Sequence, residues 1–289
     1  MINLTGVLYI CATPIGNLED ITLRVLRTLK EVDLIAAEDT RYSQRLLRHY
    51  NIQTPMISYH QHNRKSKGPG LIIKLKKGMN IALITDAGTP GISDPGEDLV
   101  KLAYKEDIKV YSLPGATACI TALTLSGLST RRFTFEAFLP KDNKLKKRIL
   151  EELQNESRTI IIYEAPHRLL KTLDILFEYI GDRKITIVRE LTKQYEEINQ
   201  TTLKNAVIKY KEEEVKGEIV LIIEGKSWEE IDLKNKEQWL SVSLVDHMEY
   251  YKNQGIQRNE AMKKVAKDRG LPKREIYSEL LKYKDNEQL

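Results

Sequence analysis

The sequence predicts an α/β protein made of two sheet-bearing domains and a small helical C-terminal appendage. Three observations carry that expectation. From Val7 to about Leu113, short apolar runs alternate with helical periodicity, the pattern of a mostly parallel sheet with helices on its faces. Pro114-Gly115 interrupts the alternation, and a second group of strands follows it. Beyond Gly225 the composition turns charged and helical. The expected spans are 1–114 and 115–226 for the α/β domains and 227–289 for the helical tail.

In chain order, the first domain reads as a strand near Leu8–Cys11, a helix near Ile21–Leu29, a strand at Leu34–Ala37 and a helix near Ser43–His49. After a polar segment come a helix near Gly70–Lys76, the apolar strand Ile81–Ile84, a helix through Tyr104 and a strand near Lys109–Ser112. Asp94, Pro95 and Glu97 fit an N-cap, a first-turn proline and a capping-box acid for the helix through Tyr104. The second half reads as a helix over Thr117–Leu125 and strands at Phe133–Phe138, Thr159–Tyr163, Lys184–Arg189 and Glu218–Ile223. Pro166 opens a helix there and Gly181 stops it. In the tail, Glu260–Leu281 has the apolar spacing and Gly-Leu-Pro turn of a helix-turn-helix.

The chain has 289 residues, enough for two compact cores, and its 41% hydrophobic and 30% charged content is that of a globular protein rather than a disordered one. The net charge of +5 leans modestly toward a polyanionic partner. Cys11 and Cys119, the two cysteines, both fall in apolar elements, which points to buried thiols and a reducing cytoplasm and leaves no zinc spacing. The apolar run Gly6–Ala12 is too short to span a membrane and reads as the first strand.

Ile81–Gly96, IALITDAGTPGISDPG, concentrates the functional signal: a buried strand runs into a loop of glycines, prolines and aspartates. In open α/β sheets ligands bind beyond the carboxyl ends of such strands. The loop has neither the GxxxxGK[ST] spacing of a phosphate-cradling loop nor GxGxxG, so nucleoside triphosphates and NAD gain no support. Asp86 follows the strand directly and is free to accept hydrogen bonds from a ligand, or else to fix the turn. Five polar clusters sit at strand ends, TPIGN at Thr13, EDTR at Glu38, DAG at Asp86, YEAPHR at Tyr163 and RELTK at Arg189. Together they are expected to line one crevice.

Asp39 and Arg41 form either a local ion pair or a substrate grip. His60 and His62, with Asn63 and Arg64, make a polar knot. On an extended strand the two rings point the same way and could take a metal or a phosphate, although no acidic or cysteine partner stands at ligand spacing. No metal is expected. Asn17, His60, His62, Asn63, Arg64 and Arg168 are the candidate substrate contacts. Basic groups at Arg64–Lys67, Arg131-Arg132 and Lys141–Arg148 suit phosphates, but each is equally a solvated face.

TPIGNLEDIT, AAEDTR, SYHQHN, ALITDAGTPGISDPG, LPGATA, FLPK, YEAPHR, RELTKQYEE and KGEIVLIIEG follow one another from Thr13 to Gly225. In that order they resemble the tetrapyrrole methylase superfamily and, within it, the ribosomal small-subunit RNA 2′-O-methyltransferase I family, which carries a similar helical tail. The resemblance implies the tetrapyrrole-methylase type of fold, with S-adenosylmethionine in a cleft between two α/β domains, and a homodimer. It suggests cofactor contacts from Pro14, Asp86, Ala87, Gly88, Ala116, Thr117, Tyr163, Leu191 and Ile219. The implied reaction methylates a cytidine 2′-hydroxyl in the decoding region of 16S ribosomal RNA. For that chemistry Asp39 or Glu190 is expected to draw the proton, with Arg41 and Lys193 supplying positive charge. The chain departs from the family pattern at Gln61, Ala116 and Ala137, where Glu, Pro and Gly are expected. Two other readings compete: a C-methyltransferase acting on a porphyrin or corrin precursor, and a non-catalytic nucleic-acid-binding regulator.

Overall fold

The computed structural model describes residues 5–286; residues 1–4 and 287–289 of the expected domain spans lie outside it. The chain divides into two compact units, Met1–Leu153 with Arg158–Glu224, and Gln154–Ser157 with Gly225–Leu289. The first unit holds two five-stranded sheets.

The first sheet is built from β1 (Val7–Cys11), β2 (Leu34–Ala37), β3 (Met56–Ser58), β4 (Ile81–Ile84) and β5 (Lys109–Leu113), with α1 (Leu23–Glu31), α2 (Thr40–His49), α3 (Arg64–Lys76) and α4 (Gly96–Lys105) between them. Its strand order is β3-β2-β4-β1-β5, and every pairing is parallel. Successive side chains of a strand point to opposite faces, so each strand feeds two cores. Ile10, Ala36, Ile81 and Leu83 pack with Leu71, Leu75 and Leu99 of α3 and α4. Cys11, Ile35, Ala82 and Ile84 pack with Val25, Leu29 and Leu47 of α1 and α2. The chain leaves β1 toward β2 and leaves β4 toward β5 in the opposite direction. The topological switch therefore falls between the adjacent strands β1 and β4, and the crevice opens there.

The second sheet combines β6 (Phe133–Phe138), β7 (Thr159–Glu164), β8 (Lys184–Arg189), β9 (Glu197–Thr202) and β10 (Ile219–Ile223) in the order β6-β7-β10-β8-β9. It is mixed: β10 runs antiparallel to both β7 and β8. Its faces are covered on one side by α6 (Asn143–Leu153), α7 (Leu169–Ile180) and α8 (Leu203–Glu212) and on the other by α5 (Ala118–Leu125). β9, α6 and α8 are absent from the expectation drawn from the sequence, although Leu203, Ala206, Val207 and Tyr210 of α8 recur at helical spacing and are buried.

The structure corrects three local expectations. α3 begins at Arg64, not near Gly70: Asn63 stands at its cap position without a side-chain cap bond, its carbonyl accepting from the Ser66 and Lys67 amides while its side chain accepts from the His60 amide at 2.9 Å and closes the preceding turn. His60 and His62 consequently lie in that turn rather than on a strand, with the His62 amide donating to His60 Nδ1 at 3.3 Å. Asp94 stands one residue outside the cap of α4. Its carboxylate ties the Gly91 and Gly96 amides at 2.8 and 2.7 Å, and Glu97 pairs with Lys101 instead of closing a capping box.

The second unit carries α9 (Trp228–Leu240), α10 (Leu244–Asn253), α11 (Arg258–Arg269) and α12 (Lys273–Asn286) around Leu244, Met248, Met262, Val265 and Ile276. Gly270 ends α11 in the left-handed conformation, φ 64°, as the Gly-Leu-Pro turn predicts. No helix among the described residues is long and apolar enough to cross a membrane.

Candidate active site

Loops from both sheets enclose a cavity of about 290 Å³. From the first sheet come Ile15 after β1 and Ala87, Gly88 and Thr89 after β4. The two loops are stitched by reciprocal main-chain hydrogen bonds between Thr13 and Gly88 at 2.9 and 3.1 Å, and the Thr13 hydroxyl donates to the Thr85 carbonyl at 3.1 Å. Gly88 takes φ +85°, and a Cβ on it would lie 3.3 Å from Ile15 Cγ2, so glycine keeps this wall open.

The second sheet supplies Phe138, Tyr163, Glu164, Leu191, Gly217, Glu218 and Ile219. Because β7 and β8 both oppose β10, their carboxyl ends meet the amino end of β10 at one edge of the sheet. Tyr163 stands against Phe135 and Phe138 with ring centroids 4.8 and 5.8 Å away, and its hydroxyl accepts from the Cys119 amide at 3.0 Å. Burial pushes both the Tyr163 hydroxyl and the Cys119 thiol above their usual pKa ranges. Neither ionises near neutrality.

Leu191 reaches the cavity because Glu190 and Thr192 on either side of it take φ of 52° and 64°. Such left-handed backbone costs an ordinary residue roughly 1–2 kcal/mol. Here it is offset by a tight lock. Glu190 Oε1 accepts from Lys193 Nζ at 2.9 Å and from the Glu218 amide at 2.9 Å, while Lys193 also reaches Glu218 Oε2 at 3.0 Å. Burial raises the Glu190 carboxyl, but Lys193 and the Glu218 amide outweigh it and hold the group below the ordinary glutamate range. The lock joins the two sheets, since the Asn17 amide donates to Thr192 Oγ1 at 3.1 Å and a Cβ on Gly16 would strike Thr192 Oγ1 at 2.5 Å.

The cavity wall contains two carboxylates, Glu164 and Glu218, and no cation. Glu164 is buried and accepts from the Ala165 amide, the Thr172 hydroxyl and Arg168 Nε at 2.8, 2.5 and 3.3 Å. A second depression of about 680 Å³, between α2 and β3, has the opposite sign: Arg41, Arg48 and Lys67 line it with no carboxylate.

The model of the Tetrapyrrole (Corrin/Porphyrin) Methylases matches residues 7–207. A ribosomal RNA small subunit methyltransferase I of Halalkalibacterium halodurans is 50% identical over 273 residues, covering 94% of each chain. The chain belongs to the ribosomal RNA small subunit methyltransferase I family. A relative of the same name from Bacillus subtilis is 47% identical, covering 94% of this chain and 93% of its own. Among solved structures, diphthine synthase superposes with TM-score 0.62 at 15% identity, covering 77% of this chain and 91% of its own. Uroporphyrin-III-C-methyltransferase from Thermus thermophilus superposes with TM-score 0.56 at 16% identity, covering 76% and 94%. At that identity the likeness speaks for the fold, two α/β layers of tetrapyrrole-methylase type.

Of the residues that the family resemblance puts at the cofactor, Ala87, Gly88, Thr117, Tyr163, Leu191 and Ile219 line the cavity. Pro14 lies between Thr13, which pairs with Gly88, and the lining residue Ile15. Ala116 accepts from the Thr89 hydroxyl at 3.1 Å, and Asp86 accepts from the Asp39 amide at 3.0 Å. Burial, then the neighbouring Glu38 and Asp39 carboxylates, raise the Asp86 carboxyl, with the Asp39 amide acting against them.

Asp39 caps α2 and pairs with Arg41 at 3.0 Å. The Arg41 side-chain hydrogen bond, then the Arg41 amide, bring its carboxyl down to about 2. Asn17 caps the turn Leu18–Asp20, Arg64 pairs with Asp98, and Arg168 holds Glu164 and the Leu139 carbonyl. Asn63, His60 and His62 form the turn before α3. Among the described residues no His, Cys, Asp or Glu cluster has metal-binding geometry.

Sequence reasoning missed Thr89, Phe138, Gly217 and Glu218 at the cavity and Arg48 at the groove, whereas Lys67 falls in the basic group Arg64–Lys67 that it singled out for phosphates. Gly217 had a signal, a glycine directly before an apolar strand. Arg48 had none that separates it from other surface cations.

Proposed function

We propose that this chain transfers a methyl group from S-adenosylmethionine to the 2′-hydroxyl of a cytidine in the decoding region of 16S ribosomal RNA. The observation that carries the reading is the contrast between cavity and groove. The cavity is mainly apolar, its two wall carboxylates Glu164 and Glu218 being paired with Arg168 and Lys193, which suits a nucleoside-bearing sulfonium, and the open groove has only cations among its charged lining, which suits a phosphate backbone. The name borne by the relatives in Halalkalibacterium halodurans and Bacillus subtilis points to the same substrate class.

The lining of the cavity fits the cofactor. Ile15, Leu191, Ile219 and Phe138 offer apolar walls for a nucleoside, Gly88 and Gly217 leave the backbone approachable, and Tyr163 holds the first turn of α5 in place. When bound, S-adenosylmethionine supplies an electrophilic methyl carbon. The protein's part is alignment, because the acceptor oxygen must lie in line with that carbon at roughly 3–3.5 Å. On transfer the acceptor oxygen would bond the methyl carbon as the C–S bond breaks. The hydroxyl proton would pass to the carboxylate of Asp39 or Glu190 and from there to solvent, with Arg41 and Lys193 placed to stabilise charge on the oxygen or its flanking phosphates. Both carboxylates are held ionised by their cations, so each acts as a hydrogen-bond acceptor more than as a strong base.

The protein would work in the cytoplasm, where the buried thiols Cys11 and Cys119 stay free. A homodimer is supported by α5, which carries no charged residue yet leaves Ile120 and Leu125 exposed. The deciding experiment offers labelled S-adenosylmethionine with either small ribosomal subunits or uroporphyrinogen. Label in RNA, mapped to one 2′-O-methylcytidine, supports the proposal; label in the macrocycle alone replaces it with the C-methyltransferase reading.

A further inference from the structure

We propose that the helical tail is a docking surface for the phosphate backbone of ribosomal RNA, through the exposed face shared by α11 and α12. The inference rests on the reading of this chain as an RNA methyltransferase and assigns it a second point of attachment. Over Arg258–Arg274 the chain has seven basic and two acidic residues. Both acids are spent locally: Asp268 accepts from Tyr251 and His247 inside the tail, and Glu260 pairs with Lys263 at 2.7 Å.

The cations converge from two helices. Lys263 pairs with Glu260 at 2.7 Å, α12 packs on α11 through Ile276 in the core with Met262 and Val265, and Lys263, then Lys273 and Lys264, draw the Glu260 carboxyl below its usual range. A fourth ammonium closes the turn, since a Cβ on Gly270 would meet Lys236 Nζ at 3.0 Å. Lys263, Lys264, Lys267 and Lys273 are all exposed, and Tyr277 beyond them is 49% exposed.

A lipid surface fits this face poorly. Every apolar residue of α11, Ala261, Met262, Val265 and Ala266, is buried in the tail core, so α11 has no apolar stripe to enter a bilayer, and Tyr277 and Leu281 of α12 add one exposed pair rather than a stripe. Cations without an apolar stripe, beside an exposed aromatic ring, suit a sugar-phosphate chain.

The test uses the full chain and two variants, the triple Lys264→Gln, Lys267→Gln, Lys273→Gln and the single Glu260→Gln. Binding to purified small subunits is measured across a salt series, with S-adenosylmethionine uptake as a control. The triple variant should bind about tenfold more weakly, with the slope of log K against log salt smaller by about 2–3, and Glu260→Gln should bind more tightly. Cofactor uptake should not change. Unaltered affinity and slope in the triple variant overturn the proposal, as does equal loss of binding to neutral and anionic lipid vesicles without loss on subunits. If labelling shows that wild type methylates no RNA while the triple variant still loses subunit binding, the docking surface stands and the catalytic reading falls.

Discussion

The Asp86 carboxylate accepts a hydrogen bond from the main-chain amide of Asp39 at 3.0 Å, joining the loop after β4 to the amino end of α2. One side of this link is the cavity wall at Ala87 and Gly88; the other is Arg41, on the rim of the cationic groove. Asp86 therefore fixes the spacing of the cavity and the cationic groove, at the cost of a carboxylate part-buried beside Glu38 and Asp39.

That cost sets the sign of a first prediction. A carboxyl whose folded pKa is raised favours the protonated form, so the ionised group weakens the fold as pH rises through the unfolded value near 4. Asp86→Asn keeps the acceptor oxygen and removes the charge. Thermal melting should find it as stable as wild type or more stable at pH 7, by roughly 1 kcal/mol at most, with the difference shrinking toward pH 4. Asp86→Ala loses the acceptor and should cost about 1–2 kcal/mol, with turnover falling more than cofactor affinity.

At Gly217, φ is +91° and a Cβ would lie 2.2 Å from Glu190 Oε1. Gly217→Ala should lower stability by about 2–3 kcal/mol and abolish S-adenosylmethionine uptake in calorimetry, because it displaces the Glu190–Lys193 lock that sets Leu191. The double variant Gly217→Ala, Glu190→Ala should recover part of the stability, since the obstructing atoms are gone, but not the uptake. Equal stability of the single and double variants would exclude the clash as the cause.

Ala137 stands at φ +52° within the register shift between Phe135 and Phe138 of β6, where the family resemblance leads to an expectation of glycine. The left-handed penalty on alanine is roughly 1–2 kcal/mol, and glycine's extra chain entropy returns about half of it. Ala137→Gly should raise stability by about 0.5–1 kcal/mol in denaturant titration. A loss of stability would mean that the Ala137 methyl packs to more effect than its backbone strains.

His247 is fully buried, stacked on Trp239 at 3.6 Å, with Nδ1 accepting from Arg269 at 3.1 Å and Nε2 facing Asp268 at 3.3 Å. Burial first, and then Arg269, lower its pKa against the pull of Asp268. The folded tail thus binds this proton less readily than the unfolded chain. Its stability is full above the ordinary histidine value near 6.5 and declines as pH falls below it. Tryptophan fluorescence reads the tail alone, because Trp228 and Trp239 are the two tryptophans of the chain. Its melting point should drop between pH 7.5 and 5.5 in wild type and much less in His247→Gln.

Asp39→Asn and Glu190→Gln test the proton assignment directly. Each should slow methylation of small subunits by about 10–100-fold with cofactor uptake retained. If both transfer methyl at the wild-type rate, neither carboxylate takes part.

How much of this was legible in the chain differs between the two sheets. In the first, the alternation of four-residue apolar runs with helical periodicity is local information, and Ile81–Ile84 and Leu34–Ala37 stand where the pattern predicts. The polar clusters after β1 and β4 were readable for the same reason, since a loop that must turn sharply beside a ligand is written in glycine and proline. Local pattern failed at His60 and His62. The Asn63 side chain accepts from the His60 amide and closes a turn there, a short-range competition that side-chain alternation ignores.

The sequence by itself determined the fold class, the buried strands and the polar segments that meet at their ends, because burial period and turn chemistry act over a few neighbouring residues. Only the tertiary structure decided that β10 runs against β7 and β8 and so brings Gly217 and Glu218 to the cavity. It alone decided which carboxylates are paired, Glu164 with Arg168 and both Glu190 and Glu218 with Lys193, and which cations line the groove. Strand direction and ion pairing are settled between residues far apart in the chain, where the geometry of the closed fold selects partners that spacing does not encode.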